Sequence, residues 1–286
     1  MNGYIRPVGL LVVALLYIGF DAGGVSWADS FLGALLLIGL LAVGIPHGAL
    51  DVLTHRHRSP GRHSGLYILS YLLAIAGVLG AWWIFPHAGL LVFLLLSAWH
   101  FGQADFERWG ISKGHMAWGT VALGMILGWH VEEVSPIIAQ MGISLGACEA
   151  LVHVQDELQF GFTAGLITCG IAALRMKHWT WGLTIALIGL TPSIPVLLSF
   201  GLYFIGQHSA SGWHHLREGL GLSSKSLWIK ALPFTVGALV LIGIGMWGLG
   251  NPEAVQSDAT VGAFFMLLGC ISIPHIFESH WFLKVT

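Results

Sequence analysis

Histidine is the residue type whose chemistry stands out. The 286-residue chain holds 15 of them, and neutral imidazole is the commonest metal ligand among side chains. Six fall near the ends of apolar runs. His47 sits in G-I-P-H-G-A-L-D (Gly44 to Asp51) and His100 in A-W-H-F-G-Q-A-D (Ala98 to Asp105). His208, His214 and His215 share G-Q-H-S-A-S-G-W-H-H-L-R-E (Gly206 to Glu218), and His275 lies in I-P-H-I-F-E (Ile273 to Glu278). An ionisable side chain inside an apolar segment is costly, so each is a functional-site candidate. For one such residue, a bond to a neighbouring carbonyl is an equally good account. For a set drawn from four separate segments, metal binding is the better one.

The neighbouring residues support a metal site. Gly44 and Gly48 flank His47, Pro46 precedes it, and Pro274 precedes His275. Glycine and proline loosen a helix and free carbonyls. Asp51 follows His47 by four and Glu278 follows His275 by three, spacings that share one helix face. Gln103, three after His100, fits better than Asp105 at five. A metal-bound imidazole usually gives its other N–H to such a group, so Asp51, Gln103 and Glu278 are the expected supports. The alternative is that these groups are ordinary interfacial residues at helix ends. The three cysteines (Cys148, Cys169, Cys270) have no close spacing, and without thiolates a structural zinc site is not suggested. An all-imidazole set suits iron, copper, zinc or nickel. Ferrous iron held this way, with open positions, can bind dioxygen.

The elements that must position these residues follow from composition. The chain is 56% hydrophobic and 9% charged, with a mean hydropathy of +0.79; a soluble domain carries about a quarter charged residues. An all-α polytopic membrane bundle is expected, one integral-membrane domain over residues 1–286 without internal repeats. Ten transmembrane helices are expected at about 5–22, 30–50, 65–85, 88–104, 116–131, 159–175, 178–191, 194–216, 229–250 and 260–282. A crossing needs about 20 residues, and helix is the state that satisfies the backbone in lipid. The first span reads as a retained helix rather than a cleaved signal peptide.

Charge orients the spans. All twelve Lys and Arg residues fall on alternate connections: Arg6; Arg56, Arg58 and Arg62; Arg108 and Lys113; Arg175 and Lys177; Arg217, Lys225 and Lys230; Lys284. The other connections carry acids, including Glu132, Glu133, Asp156, Glu157 and Glu253. Positive charge marks the cytoplasmic side, so both termini are expected inside, in a multi-pass protein of the cell inner (plasma) membrane. Spans two, four, eight and ten then run the same way, which sets their histidines at one depth in the inner half of the bilayer. His55, His57 and His63 read as part of a basic solvated loop, and His87, His115, His130, His153 and His178 as interfacial. Glu132 to Glu157 reads as an external amphipathic segment. A net charge of −2 without a basic tract gives no nucleic-acid partner.

The motifs resemble those of the Brp/Blh family of membrane β-carotene 15,15′-dioxygenases. The resemblance runs from about residue 30 to 282. It rests on G-I-P-H-G-A-L-D around His47, W-H-F-G at Trp99 to Gly102, Y-F-x-x-x-H-S at Tyr203 to Ser209, and P-H at Pro274–His275. It implies an oxidoreductase that uses Fe(2+) and O2 to cleave the central double bond of β-carotene into two all-trans-retinal molecules, often alongside a microbial rhodopsin. It implies His47, His100 and His208 as metal ligands. The family resembles H-S-x-x-H in the third region, and the residue four after His208 here is Gly212. The fourth ligand is then His214, His215 or His275. In a straight helix His215 returns to the face of His208 two turns, or about 10 Å, away; one ion reaches both only if Ser209–Gly212 unwinds. A long apolar substrate implies a tunnel entered from the bilayer, for which Trp82, Trp83, Phe101, Tyr203 and Phe204 are available. The same histidines also admit other readings: a different carotenoid or cleavage bond, a membrane haem electron-transfer protein with axial histidine pairs, a cation transporter, or a non-catalytic rhodopsin-biogenesis helper.

Overall fold

The computed structural model describes residues 4–61, 63–249 and 258–283; Arg62, Glu253 and Lys284 of the charge reading lie outside them. Regular structure in the described residues is helical throughout. In chain order the helices are α1 (Ile5–Ala22), α2 (Ala28–Gly39), α3 (Ile45–Gly48), α4 (Asp51–Arg58), α5 (Ser64–Ile84), α6 (Pro86–Trp109), α7 (His115–Gly128), α8 (Val131–Gln140), α9 (Leu145–His153), α10 (Gln155–Arg175), α11 (Trp179–Gly189), α12 (Val196–Gly201), α13 (Ala210–Gly219), α14 (Ser224–Leu249) and α15 (Asp258–Leu283). Two stretches wind as π-helix, Leu40–Gly44 and Leu202–Ser209. Such wide turns are rare and concentrate at functional sites.

The expected count of ten spans is not confirmed. Among the described residues seven helices are long and apolar enough to cross a membrane, or eight if the bent pair α7–α8 is one span. The shortfall lies where the apolar runs are short or interrupted. The predicted seventh span is α11, of 11 residues, and the predicted eighth is divided among α12, the π-helical stretch and α13. The outer surfaces of the long helices suit lipid: Leu66, Leu69 and Leu73 of α5 are all more than half exposed.

The chain forms two compact units, each assembled from three segments. Unit 1 comprises Met1–Gly44, Phe101–Val134 and Leu151–Gly212. Its core joins Ala14 and Tyr17 of α1, Ala28 and Leu32 of α2, Leu187 of α11, Ile194 and Leu202. Close helix approach depends on missing side chains. A Cβ at Gly124 would strike the Phe162 ring, and one at Gly102 would strike the backbone carbonyl of His115. Unit 2 comprises Ile45–His100, Ser135–Ala150 and Trp213–Thr286. Its core includes Leu50, Leu216, Leu227, Ala231 and Phe282. Helix α15 packs there on α4, α5 and α14.

The region expected as a basic loop is instead partly helical. Residues 55–58 form the last turn of α4. His55 is buried, its ring stacked on Tyr67 with centroids 4.0 Å apart. Sequence charge suggested solvation; a carboxylate from α15 draws the segment inward, as described below.

Candidate metal centre

Unit 2 brings together three of the predicted histidines. The rings of His47 and His275 stand edge to face with centroids 5.0 Å apart, and those of His100 and His275 do the same at 5.4 Å. All three side chains are buried. They come from α3, α6 and α15, and the local sequence explains the first position. Gly44, Pro46 and Gly48 interrupt the regular winding, so a π-helical stretch leads into a single α-turn and then a break at Ala49–Leu50. Gly48 faces His275: a Cβ there would lie 3.7 Å from Nδ1.

His275 is held by a carboxylate. Its Nδ1 lies 2.9 Å from Asp51 Oδ1 and 3.1 Å from Oδ2, and Tyr71 donates its hydroxyl to Asp51 Oδ2 at 2.8 Å. A carboxylate accepts, so Nδ1 carries the proton and Nε2 presents its lone pair. That Nε2 is buried and has no hydrogen-bond partner. Asp51 was expected to support His47, four residues before it; its partner is His275 instead. The i,i+4 spacing reports a shared helix face, and it does not say which neighbouring helix packs on that face.

The other expected supports are engaged elsewhere. Glu278, 2% exposed, accepts from Arg58 Nη2 at 2.9 Å and from Thr54 Oγ1 at 3.1 Å, with His55 Nδ1 at 4.0 Å. It therefore pins α15 to α4 rather than orienting His275. Gln103 donates to Glu107 Oε1 at 2.9 Å. His215 packs edge-on against Phe282 at 5.9 Å, and His214 lies 3.1 Å from Glu218. His280, not singled out in the sequence, sets its ring 4.8 Å from Trp99.

Unit 1 holds His208, in the π-helical stretch Leu202–Ser209. The chain stays helical through Ser209–Gly212 into α13. Phe101 meets the His208 ring at 4.5 Å, and Phe204 stacks on it at 6.0 Å. Asp105 is fully buried beneath this cluster. It accepts from Trp118 Nε1 and Tyr203 Oη at 2.9 Å each and from Gln207 Nε2 at 3.1 Å. Sequence spacing had set Asp105 aside because it follows His100 by five residues; its donors lie 13 to 102 residues away. Of the aromatic residues available for a tunnel, Phe101, Tyr203 and Phe204 gather at His208. Trp82 instead packs on Gly89 and Gly269, and Trp83 faces outward.

The ring separations are compatible with imidazoles on a first-row metal ion. Two imidazoles bound to one ion through nitrogens about 2 Å from it hold their ring centres about 5 Å apart, which is the separation of both pairs in unit 2. The buried lone pair on His275 Nε2, with Nδ1 fixed by Asp51, has the arrangement of a supported ligand. Among the described residues, no group of three or more His, Cys, Asp or Glu side chains stands close enough to enclose an ion.

Comparison with known proteins identifies a family. The sequence model of the family described as "Beta-carotene 15,15'-dioxygenase" matches residues 38–282. A protein named "Beta-carotene 15,15'-dioxygenase" from uncultured marine bacterium 66A03 is 28% identical over 250 residues, covering 82% of this chain and 88% of the relative. "Probable beta-carotene 15,15'-dioxygenase Blh" of Halobacterium salinarum is 24% identical over 303 residues, covering 92% and 87%. No solved structure matches. The resemblance to Brp/Blh proteins thus extends well beyond the histidine motifs, and the chain belongs to the β-carotene 15,15′-dioxygenase family.

Proposed function

We propose that this chain is a membrane dioxygenase that cleaves β-carotene at its central 15,15′ double bond with O2 to give two molecules of all-trans-retinal. Membership of the family over residues 38–282 supports the reaction. The observation that carries the site is His275, with Nδ1 on Asp51, Nε2 buried and unpartnered, and the His47 and His100 rings against its own.

Fe(2+) is the proposed cofactor, with His47, His100 and His275 of unit 2 as its donors; His208 of unit 1 is proposed as a metal donor on its motif alone. Ferrous iron would supply the binding and activation of O2. The protein's own contributions are orientation and exclusion. Asp51 keeps the Nδ1 proton on His275, which fixes the tautomer and raises the basicity of Nε2. Tyr71 holds Asp51 in turn. The rings of Phe101 and Phe204 give an apolar surface beside His208, suited to a polyene and unsuited to water.

The proposed setting is the cell inner membrane, with the basic connections and both termini cytoplasmic. β-Carotene would enter from the bilayer, and a microbial rhodopsin is the proposed user of the retinal. The test is elemental iron analysis together with product chromatography on detergent-purified protein. His47→Ala, His100→Ala and His275→Ala are each expected to lose iron and retinal formation together. Variants that keep both would sink the assignment.

A further inference from the structure

Asp105 takes part in no step outlined above, yet it is 0% exposed and carries a charge-bearing group into the centre of unit 1. Burying a carboxylate costs several kcal/mol unless donors replace water. Here three neutral donors do so. Trp118 of α7 and Tyr203 share Oδ2, and Gln207 takes Oδ1. Packing of α6 on α7 accounts for one of these bonds. The other two come from the π-helical stretch that carries His208.

The spacing of these contacts is informative. Tyr203 and Gln207 are four residues apart, and His208 follows Gln207 directly. On α6, Phe101 and Asp105 are also four apart. Phe101 meets the His208 ring, and Asp105 one turn later holds the residues around it. Two further contacts press on the same stretch: Gly206 closes on Leu10 of α1, and Gly201 closes on Leu36 of α2. A π-helical winding is less favourable than the α-helix it interrupts and persists where neighbours over-determine it. Gly102, between Phe101 and Asp105, lets α6 meet the start of α7 backbone to backbone, which brings Trp118 within reach of the carboxylate.

We propose that Asp105 is a positioning residue: through Tyr203 and Gln207 it fixes the π-helical turn that carries His208 and sets the direction of its ring. The proposal rests on the reading of His208 as a donor. It assigns no contact between Asp105 and the ion or the substrate. It also explains why a carboxylate is needed where an apolar residue would pack at lower cost: only an acceptor with two oxygens holds three donors from two elements at once.

The full chain, purified in detergent and loaded with Co(II) as the probe metal, tests this. Asp105→Asn and the milder Tyr203→Phe, which removes a single donor, are each expected to weaken Co(II) affinity about tenfold. Each should also shift the visible d–d absorption of the bound ion and lower kcat for retinal formation more than it changes KM. A melting-temperature loss with Co(II) affinity and spectrum unchanged would mean that the network only holds α6, α7 and the π-helical stretch together, and would overturn the proposal. His208→Ala separates the two levels. If it loses Co(II) affinity while both network variants retain it, the positioning role fails and the ligand reading stands. If His208→Ala itself binds Co(II) as the wild type does, the ligand reading fails and the positioning role fails with it.

Discussion

Each unit buries one aspartate close to a histidine of the proposed site, and the two acids work at different distances. In unit 2, Asp51 touches the imidazole of His275 with both oxygens. In unit 1, Asp105 touches no imidazole; its partners are Trp118, Tyr203 and Gln207. The first sets the protonation and direction of a ring. The second sets the path of the backbone that carries a ring. The difference follows from local winding. α15 is a long helix with Pro274 inside it, and its ring needs only to be aimed. Leu202–Ser209 is wound wide, so the turn itself must be held.

Four substitutions sharpen or break this contrast. The largest effect is expected from Asp51→Leu, which leaves Nδ1 of His275 without its acceptor. Metal affinity should fall about 10- to 100-fold, read by competition with a chelator; a fall no greater than that of Asp105→Asn would erase the distinction between the two acids. Gly102→Ala comes next. Its methyl group would collide with the His115 carbonyl, and overpacking against backbone costs about 1–3 kcal/mol. Thermal or denaturant unfolding measures it, and a stability equal to wild type would show that α6 and α7 do not need this approach. Tyr71→Phe removes one donor from Asp51 while the His275 contact remains. About 1 kcal/mol of stability is expected to go, with metal affinity within about threefold; a larger affinity loss would make Tyr71 as important as the carboxylate it holds. The smallest effect belongs to Gly48→Ala, whose added carbon would sit in ordinary contact with His275. Retinal formation should stay within about twofold. A collapse of activity would show that Gly48 serves by loosening the chain rather than by leaving room.

These contrasts also mark what the sequence could and could not reveal. That His47, His100 and His275 come together was foreshadowed by imidazoles at the ends of apolar runs, with proline beside His47 and His275, and each of those features has a direct physical cost. Their supports were not. Spacing along one helix paired Asp51 with His47 and Glu278 with His275, whereas the bonds run from Asp51 to His275 and from Glu278 to Arg58. Such pairings depend on which helices pack together, and helical period carries no information about neighbours. Asp105 escaped for the same reason. His55 and Arg58 were misjudged, while Arg56 and His57 are exposed, because a cluster of basic residues reads as solvated throughout until a buried acid is found opposite it. The helical class was legible from composition alone. The number of crossings was not, since an apolar stretch has the same hydropathy whether it runs straight or is interrupted by a widened turn.

That widened turn has a consequence for length variation in the chain. Each residue advances an ordinary helix by about 100°, and a π-helical stretch accommodates one residue more than the regular spiral would. Deleting a single residue between Leu202 and Ser209 would let the hydrogen bonding relax to the commoner pattern, a gain for the local backbone. The deletion would also rotate His208 away from Phe101 and turn Ser209 with it. A shortening that looks harmless in a uniformly greasy segment would therefore misdirect the histidine it contains.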